Sequence, residues 1–297
     1  MNWDDARLFL AVGRHGQFLA ASRTVGVNQA TLSRRVSALE ADVGSKLLVR
    51  RTNGCELTAA GRKLITALEQ AESNIMDGLE GVSHQDSDVS GTVRIGAPDG
   101  FGIGFLAARL GKLDAQYPNL KIELVPVPRS FSLSQREADI AVMVGRPEKG
   151  RLVARKLVDY SLGLYAATSY LDQAGRPQSR QDLADHRLIG FVEDLIYAPS
   201  LDYTHEFFRA WRSNVAVSSA TGQVEAAKGG AGIAILHDYL VQPDSGLDPV
   251  LPELKINRSY WLAIHESQRN LARITAVNDF LVDTVKQERH LFAWDGA

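Results

Sequence analysis

A single cysteine, Cys55, is all that a chain of 297 residues carries. This excludes an intramolecular disulfide and any Cys-x-x-Cys zinc or redox pair. No apolar run reaches the roughly 18 residues that a membrane-spanning helix needs. The first twenty residues hold Asp4, Asp5, Arg7 and Arg14 where an export signal would have a basic segment and then an apolar core. A soluble chain in the reducing cytoplasm, with no membrane partner, is therefore expected. Catalytic signatures are also missing: there is no GxxxxGK(S/T) or GxSxG, and none of the seven histidines has HExxH or paired-acid spacing. Neither an enzyme nor a metal or cofactor site is expected. What the sequence does have is core-forming bulk, with 45% hydrophobic residues, enough for about two to three domains.

One stretch comes close to a cofactor-binding motif. Gly102-x-Gly104-x-x-Ala107 follows the strand-like "TVRI", and Glu123 lies about twenty residues on, where a dinucleotide-binding unit places its ribose-binding acid. The first glycine of the motif stands about six residues past the strand, too far into a helical stretch to make the tight pyrophosphate turn. Glycines at 100, 102 and 104 satisfy the pattern by density, and binding of NAD is not expected.

Net charge is −2, but it is unevenly spread. Residues 1–63 contain ten Lys/Arg against five Asp/Glu, a surplus of +5, which leaves −7 for the remainder. A small basic module on a larger acidic one suggests a polyanion-binding head and a body kept off that polyanion.

Within the head, Leu8, Phe9 and Val12 share one helical face, and Gly13 and Gly16 bracket its exit. "QFLAASRTV" places Phe18, Ala21 and Val25 at helical spacing, with small Ala21 and Ser22 permitting a close crossing before Gly26 stops the helix. "NQATLSRRVSALEADVG" opens on Asn28, a good N-cap, and turns Leu32, Val36, Leu39 and Val43 inward. Its other face shows Gln29, Thr31, Ser33, Arg34 and Arg35. Two short helices joined by a glycine turn form a helix-turn-helix whose second helix enters the major groove. Gln pairs with adenine, Arg with guanine, and Ser or Thr with base or phosphate; a merely solvated face is the plainer alternative. "KLLVRRTNGCELT" reads as two short strands around Asn53-Gly54, a basic hairpin with Arg50 and Arg51 beside the turn. That is a winged arrangement, and Cys55 near its tip reads as a bystander.

From Phe9 to Gly61 the pattern strongly resembles the LysR-type transcriptional regulators. The match is carried by Phe9, Gly16-x-Phe18, Ala20-Ala21, Gly26-Val27, Gln29, Ser33-Arg34-Arg35, Leu39-Glu40, Gly44, Leu47, Arg50 and Leu57-Thr58-x-x-Gly61. Departures are Gln17, Ser22, Val25 and Leu48. The reading sets Asn28, Gln29, Thr31, Ser33, Arg34, Arg35, Arg50 and Arg51 as the DNA-binding residues, with Gln29, Thr31, Ser33 and Arg34 in the groove and Arg35, Arg50 and Arg51 on phosphates of double-stranded operator DNA. The winged helix-turn-helix spans 1–58.

Thr58 caps a helical pattern from about 59 to 83, in which Leu64, Leu68, Ala71, Ile75, Leu79 and Val82 form one stripe. A small head has too little surface to cover it, so a second copy is the expected partner. The resemblance agrees, implying a dimer or tetramer through this linker, with the hinge ending near 90 and RNA polymerase among the partners.

From 91 the chain alternates strand and helix, the signature of open α/β sheets with ligand sites beyond strand carboxyl ends. Strands are expected near 92–97, 120–126, 139–144, 161–167, 188–192, 215–219, 232–236 and 259–264. Helices are expected near 101–116, 203–213, 221–229 and 269–288. The fold expected is therefore α/β behind an all-α winged head. The resemblance implies a two-lobed, periplasmic-binding-protein-like effector domain over 91–297, lobe one taking 91–160 and 267–297 and lobe two 161–266. Helix N-termini and backbone N–H groups in such clefts hold small anions. Effector-binding candidates are Asp99, Gly100, Phe101, Arg129, Ser130, Arg146, Tyr197, Tyr203, Ser219 and Thr221, for a small carboxylate or hydroxylated metabolite. Phe131 is a further candidate for the cleft wall. Arg129 is otherwise a solvated loop residue, and Arg146 a partner of Glu148. Asp99 stands where the family often has Ser or Thr; it either meets the effector or caps a helix. A solute-binding protein with the same lobes is the competing reading, but it would need an export signal and no basic head.

Overall fold

A computed structural model describes residues 2–51, 54–83, 89–127, 133, 137–147 and 150–292. The chain divides into two compact units, Met1–Ser87 and Asp88–Ala297.

The first unit packs three helices, a hairpin and a long helix. Helix α1 (Trp3–His15) is capped by Asn2, α2 (Phe18–Val25) ends on left-handed Gly26, and α3 (Gln29–Val43) starts at Asn28, whose side chain accepts the Thr31 N–H at 2.7 Å. Leu8, Phe9, Val12, Ala21, Leu32, Val36 and Leu39 form the core. Val43, expected inside, is 37% exposed because the last turn of α3 runs past that core. Strands β1 (Leu48–Arg51) and β2 (Gly54–Leu57) pair antiparallel. Their register sets Arg51 opposite Gly54, which places Gly54 in the strand and not in the turn; Thr52 and Asn53 lie outside the described residues.

Helix α4 (Ala59–Ser83) starts where expected, with the Thr58 hydroxyl accepting the Gly61 N–H at 2.9 Å. The head covers more of the stripe than its size suggests. Leu64 and Ile65 pack on the head core and Leu68 is buried in it, while Arg14 of α1 pairs with Glu72 at 2.6 Å. Ile75, one turn further on, is 46% exposed. The side chains of Leu79 and Val82 lie outside the described residues.

The second unit is built on one continuous sheet. Strands β3 (Gly91–Ala97), β4 (Leu120–Pro126) and β5 (Ile140–Val144) are parallel. Between β3 and β4 runs a helical stretch: α5 (Asp99–Phe101), a wide π turn at Gly102–Leu106, a 3-10 turn, and α6 (Leu110–Gln116). Strand β6 (Leu152–Ala167) is followed by α7 (Thr168–Ala174), β7 (Leu188–Gly190), α8 (Thr204–Phe207), β8 (Val215–Ala216), α9 (Ala220–Lys228), β9 (Ile233–His237), β10 (Leu247–Val250), β11 (Ile256–His265) and α10 (Ala272–Gln287). The strand order is β4-β3-β5-β11-β6-β9-β7-β8, with β10 beside β6.

Two elements differ from expectation in a way that matters for the cleft. Strand β6 is 16 residues long and includes 152–160, where Arg155, Lys156 and Asp159 break the apolar pattern. Strand β11 pairs with β6 along its length and with β5 over Tyr260–Ile264. These two strands therefore run through both lobes, and the expected lobe boundaries at 160/161 and 266/267 cut through or past them. The register slips between Tyr260 and Trp261. The helix expected over 203–213 is only Thr204–Phe207.

Candidate functional site

On the head, Gln29 and Arg34 project from α3 into solvent and have no hydrogen-bond or ion-pair partner among the described residues. Arg50 of β1 donates to Ser33 Oγ at 2.6 Å, and its guanidinium lies 4.9 Å from the Phe18 ring centre. The wing is thereby tied to α2 and to the polar side of α3. It is also tied to the turn after α1, because the Cys55 N–H donates to Gly16 O at 2.7 Å. A Cβ on Gly54 would come within 2.5 Å of that same Gly16 oxygen, so only glycine allows this approach. Arg51 is exposed and pairs with Glu56 across the hairpin at 3.3 Å. Burial pushes the Cys55 thiol up against the pull of Arg50, which leaves it a weak nucleophile.

Glu40 organises the base of the wing. It accepts the N–H groups of Leu47 and Leu48 at 2.9 and 3.2 Å and the Lys46 ammonium at 2.7 Å. Burial opposes its ionisation, but these three donors together hold the carboxyl below its ordinary value.

In the second unit, Asp99 is the first residue of α5 and is buried. Its Oδ2 accepts from Ser219 Oγ at 2.7 Å, from Thr221 N–H at 3.1 Å and from Thr221 Oγ1 at 3.2 Å. Ser219 is the N-cap of α9, accepting the Gly222 N–H at 3.1 Å. The first lobe thus places a carboxylate on the N-terminus of a second-lobe helix. Around it, Gly100, Tyr197, Tyr203, His237 and Tyr260 enclose a cavity of about 20 Å³. A larger cavity of about 310 Å³ continues into the second lobe past Trp211 and Ser213, and the two share Phe191, Leu201, Tyr203 and Gln223. Burial pushes the Tyr203 hydroxyl up to about 12 and holds His237 down to about 4. The cleft is therefore lined by neutral tyrosines and a neutral histidine at ordinary pH.

Two family models cover most of the chain. One, described as bacterial regulatory helix-turn-helix protein, lysR family, matches residues 3–62; the other, LysR substrate binding domain, matches 86–286. The chain belongs to the LysR family of bacterial regulators. It is similar to the HTH-type transcriptional regulator CrgA of Neisseria meningitidis serogroup C, 27% identical over 300 residues that cover 95% of this chain and 96% of that protein. An HTH-type transcriptional regulator of Xanthomonas campestris pv. campestris is 33% identical over 193 residues, 63% of this chain and 54% of that protein. Among solved structures, the CrgA regulatory domain from Neisseria meningitidis is 26% identical with a TM-score of 0.60, covering 66% of this chain and 98% of that one. The chain is thus a LysR-type DNA-binding regulator with an effector-binding domain, and among the described residues no helix is long and apolar enough to cross a membrane.

The residues expected to carry DNA binding divide on this LysR-type head. Gln29, Thr31, Ser33, Arg34 and Arg50 gather along α3 and the wing. Asn28 is occupied as the cap of α3. Arg35, expected on a phosphate, instead turns back onto α1 and pairs with Asp4 and Asp5; the buried Asp5 carboxylate draws it inward.

The effector-binding residues divide as well. Asp99, Gly100, Tyr197, Tyr203, Ser219 and Thr221 are brought together around or beside the cleft. Phe101, expected as a wall, is fully buried among Phe105, Tyr260 and Phe292 and belongs to the core. Arg146 is exposed, with its guanidinium 5.6 Å from the Trp261 ring centre, and does not line either of the two cavities described above. Arg129 and Ser130 lie outside the described residues, as do Phe131 and Glu148.

Sequence reasoning missed His237, Phe191, Trp211, Gln223 and Tyr260. His237 ends β9, and the rule that ligands sit beyond strand carboxyl ends could have found it. Tyr260 lies inside a strand and carries no such signal. The glycine motif has a packing role: a Cβ on Gly104 would sit 2.1 Å from a Leu240 methyl, so the helix after β3 presses directly on the other lobe.

Proposed function

We propose that this LysR-type regulator reads its operator through Gln29, Thr31 and Arg34 on α3. Arg50 and Arg51 of the wing act on phosphates, and Ser33 holds Arg50 in position. The observation that carries this reading is the pairing pattern on the head: Gln29 and Arg34 are free and exposed, while neighbouring Arg35 is neutralised internally. Free Gln and Arg side chains at the start of a recognition helix match the donor and acceptor pattern of adenine and guanine edges.

The exposed Ile75 supports pairing of two copies along the outer half of α4, which would set two heads on two half-sites. The cleft at Asp99 and the adjoining cavity of about 310 Å³ suit a small metabolite. Its hydroxylated form fits a tyrosine-lined wall best; a carboxylate would have to lie away from Asp99. Effector binding would act by favouring one assembly geometry over another, altering contact with RNA polymerase, and requires different affinities for the two states.

A thermal-shift screen of small polyols, hydroxy acids and amines against the full chain tests the effector half. A hit that Tyr203→Phe or Gln223→Ala weakens supports this cleft; hits indifferent to both substitutions refute it.

A further inference from the structure

We propose that Asp99 is a resident anion: its carboxylate occupies the N-terminus of α9 in place of an effector's acidic group, latching the two lobes together and excluding anionic groups from that end of the cleft. The latch itself follows from geometry alone. The exclusion rests also on the reading of this cleft as the effector site.

Thr221 is the second residue of α9, so its N–H is one of the four that the helix cannot satisfy internally. It donates to Asp99 from the positive end of the helix dipole. The Ser219 and Thr221 hydroxyls point their protons at the same oxygen. Three donors from the second lobe thus converge on one carboxylate oxygen of the first. No Lys or Arg forms an ion pair with Asp99 among the described residues, so the helix end and these hydroxyls are what balance its charge.

The space immediately beside the contact is small. A Cβ on Gly100 would lie 3.2 Å from the Ala220 Cβ, and the cavity of about 20 Å³ has room for about one water. A carboxylate entering this end of the cleft would have to displace Asp99 or sit within a few ångströms of it, where the two like charges repel. Neutral hydroxyls and cationic amines meet no such penalty. The side chain at position 99 would therefore decide which charge class this end of the cleft admits.

The test is chemical rescue in the full chain. Thermal stability of the wild type, Asp99→Ala and Asp99→Asn is measured against sodium formate and sodium acetate, with sodium chloride at matched ionic strength as reference. The wild type is expected to respond to the carboxylates no more than to chloride. Asp99→Ala is expected to melt lower in chloride and to show a saturable upward Tm shift with formate or acetate, lost when Ser219→Ala and Thr221→Val are added. An Asp99→Ala protein that melts lower but ignores carboxylates overturns the proposal.

Should Asp99→Ala not fold, Asp99→Asn decides the matter. Spin labels at Ala115→Cys and Lys228→Cys, in a Cys55→Ser background, report the distance between lobes. A longer or broader distance distribution in Asp99→Asn supports the latch, and one identical to wild type refutes it. If the cleft is not an effector site, rescue persists while no metabolite stabilises the wild type. If the latch is wrong, rescue fails whatever the wild type binds.

Discussion

Arg35 of α3 bonds the buried carboxylate of Asp5 in α1, and its second terminal nitrogen holds Asp4 at 2.8 Å. The hydrogen bond to Asp5 raises the guanidinium above its ordinary range. Arg35→Ala is therefore expected to lower the melting temperature of the head, because Asp5 remains buried without its partner. The salt dependence of DNA binding should stay as in the wild type. Arg51→Ala is expected to do the reverse, weakening all sequences alike and reducing the salt slope by about one. Binding titrations at several salt concentrations separate the two residues.

A buried ion pair braces the second lobe. Lys255 Nζ lies 2.7 Å from Asp238 Oδ1, which also accepts from Tyr165 at 2.7 Å, while Ser161 donates to Oδ2 at 2.5 Å. Lys255→Met leaves the carboxylate without its cation, held by Tyr165 and Ser161, and is expected to destabilise the protein by about 1–3 kcal/mol. Adding Asp238→Asn should recover part of that loss. Denaturant unfolding of the single and double variants checks both expectations.

His237 makes the second unit acid-sensitive. Burial holds its folded-state value down to about 4, against weaker upward pulls from Asp99 and Asp238. The folded state binds fewer protons than the unfolded state between about pH 6.5 and 4, so stability falls as pH drops through that window. The full loss from this one group is roughly 3 kcal/mol. Melting curves from pH 7 to pH 4.5 should show the decline, and His237→Gln should flatten it.

Gly54→Ala tests the anchoring of the wing. The added methyl would press on Gly16 O and push the hairpin off the turn after α1. Operator and non-specific DNA are both expected to bind more weakly, with little change in the discrimination between them. Retained affinity would mean that this contact does not position the wing.

The features legible in the sequence were local. The Asn28 cap, the spacing of Leu32, Val36 and Leu39, and the Thr58 start of α4 depend on neighbours within a turn or two, and the structure reproduces them. Strands β3 and β4 stood out as alternating stretches and β5 as a short apolar run. What was hidden was set by distant partners. Arg35 meets Asp5 thirty positions away, and Asp99 meets Ser219 at a separation of 120; nothing near either residue signals the pairing. The first half of β6 was hidden because Arg155 and Lys156, adjacent and both exposed, break the alternation expected of a half-buried strand. The packing of Leu64 and Leu68 on the head was hidden too, since a heptad-like stripe looks the same whether it faces its own domain or a second copy.

Base reading by Gln29 and Arg34 of α3, as proposed above, is testable at the operator itself. An operator is selected by the wild-type protein from a random-sequence DNA library, and fluorescence anisotropy then measures its affinity, and that of its single-base variants, for wild type, Gln29→Ala and Arg34→Ala. Each variant is expected to lose about 1–3 kcal/mol of discrimination at one or two base pairs while keeping wild-type melting behaviour. If both variants match the wild type in affinity and in discrimination at every base pair, α3 does not read the operator as described.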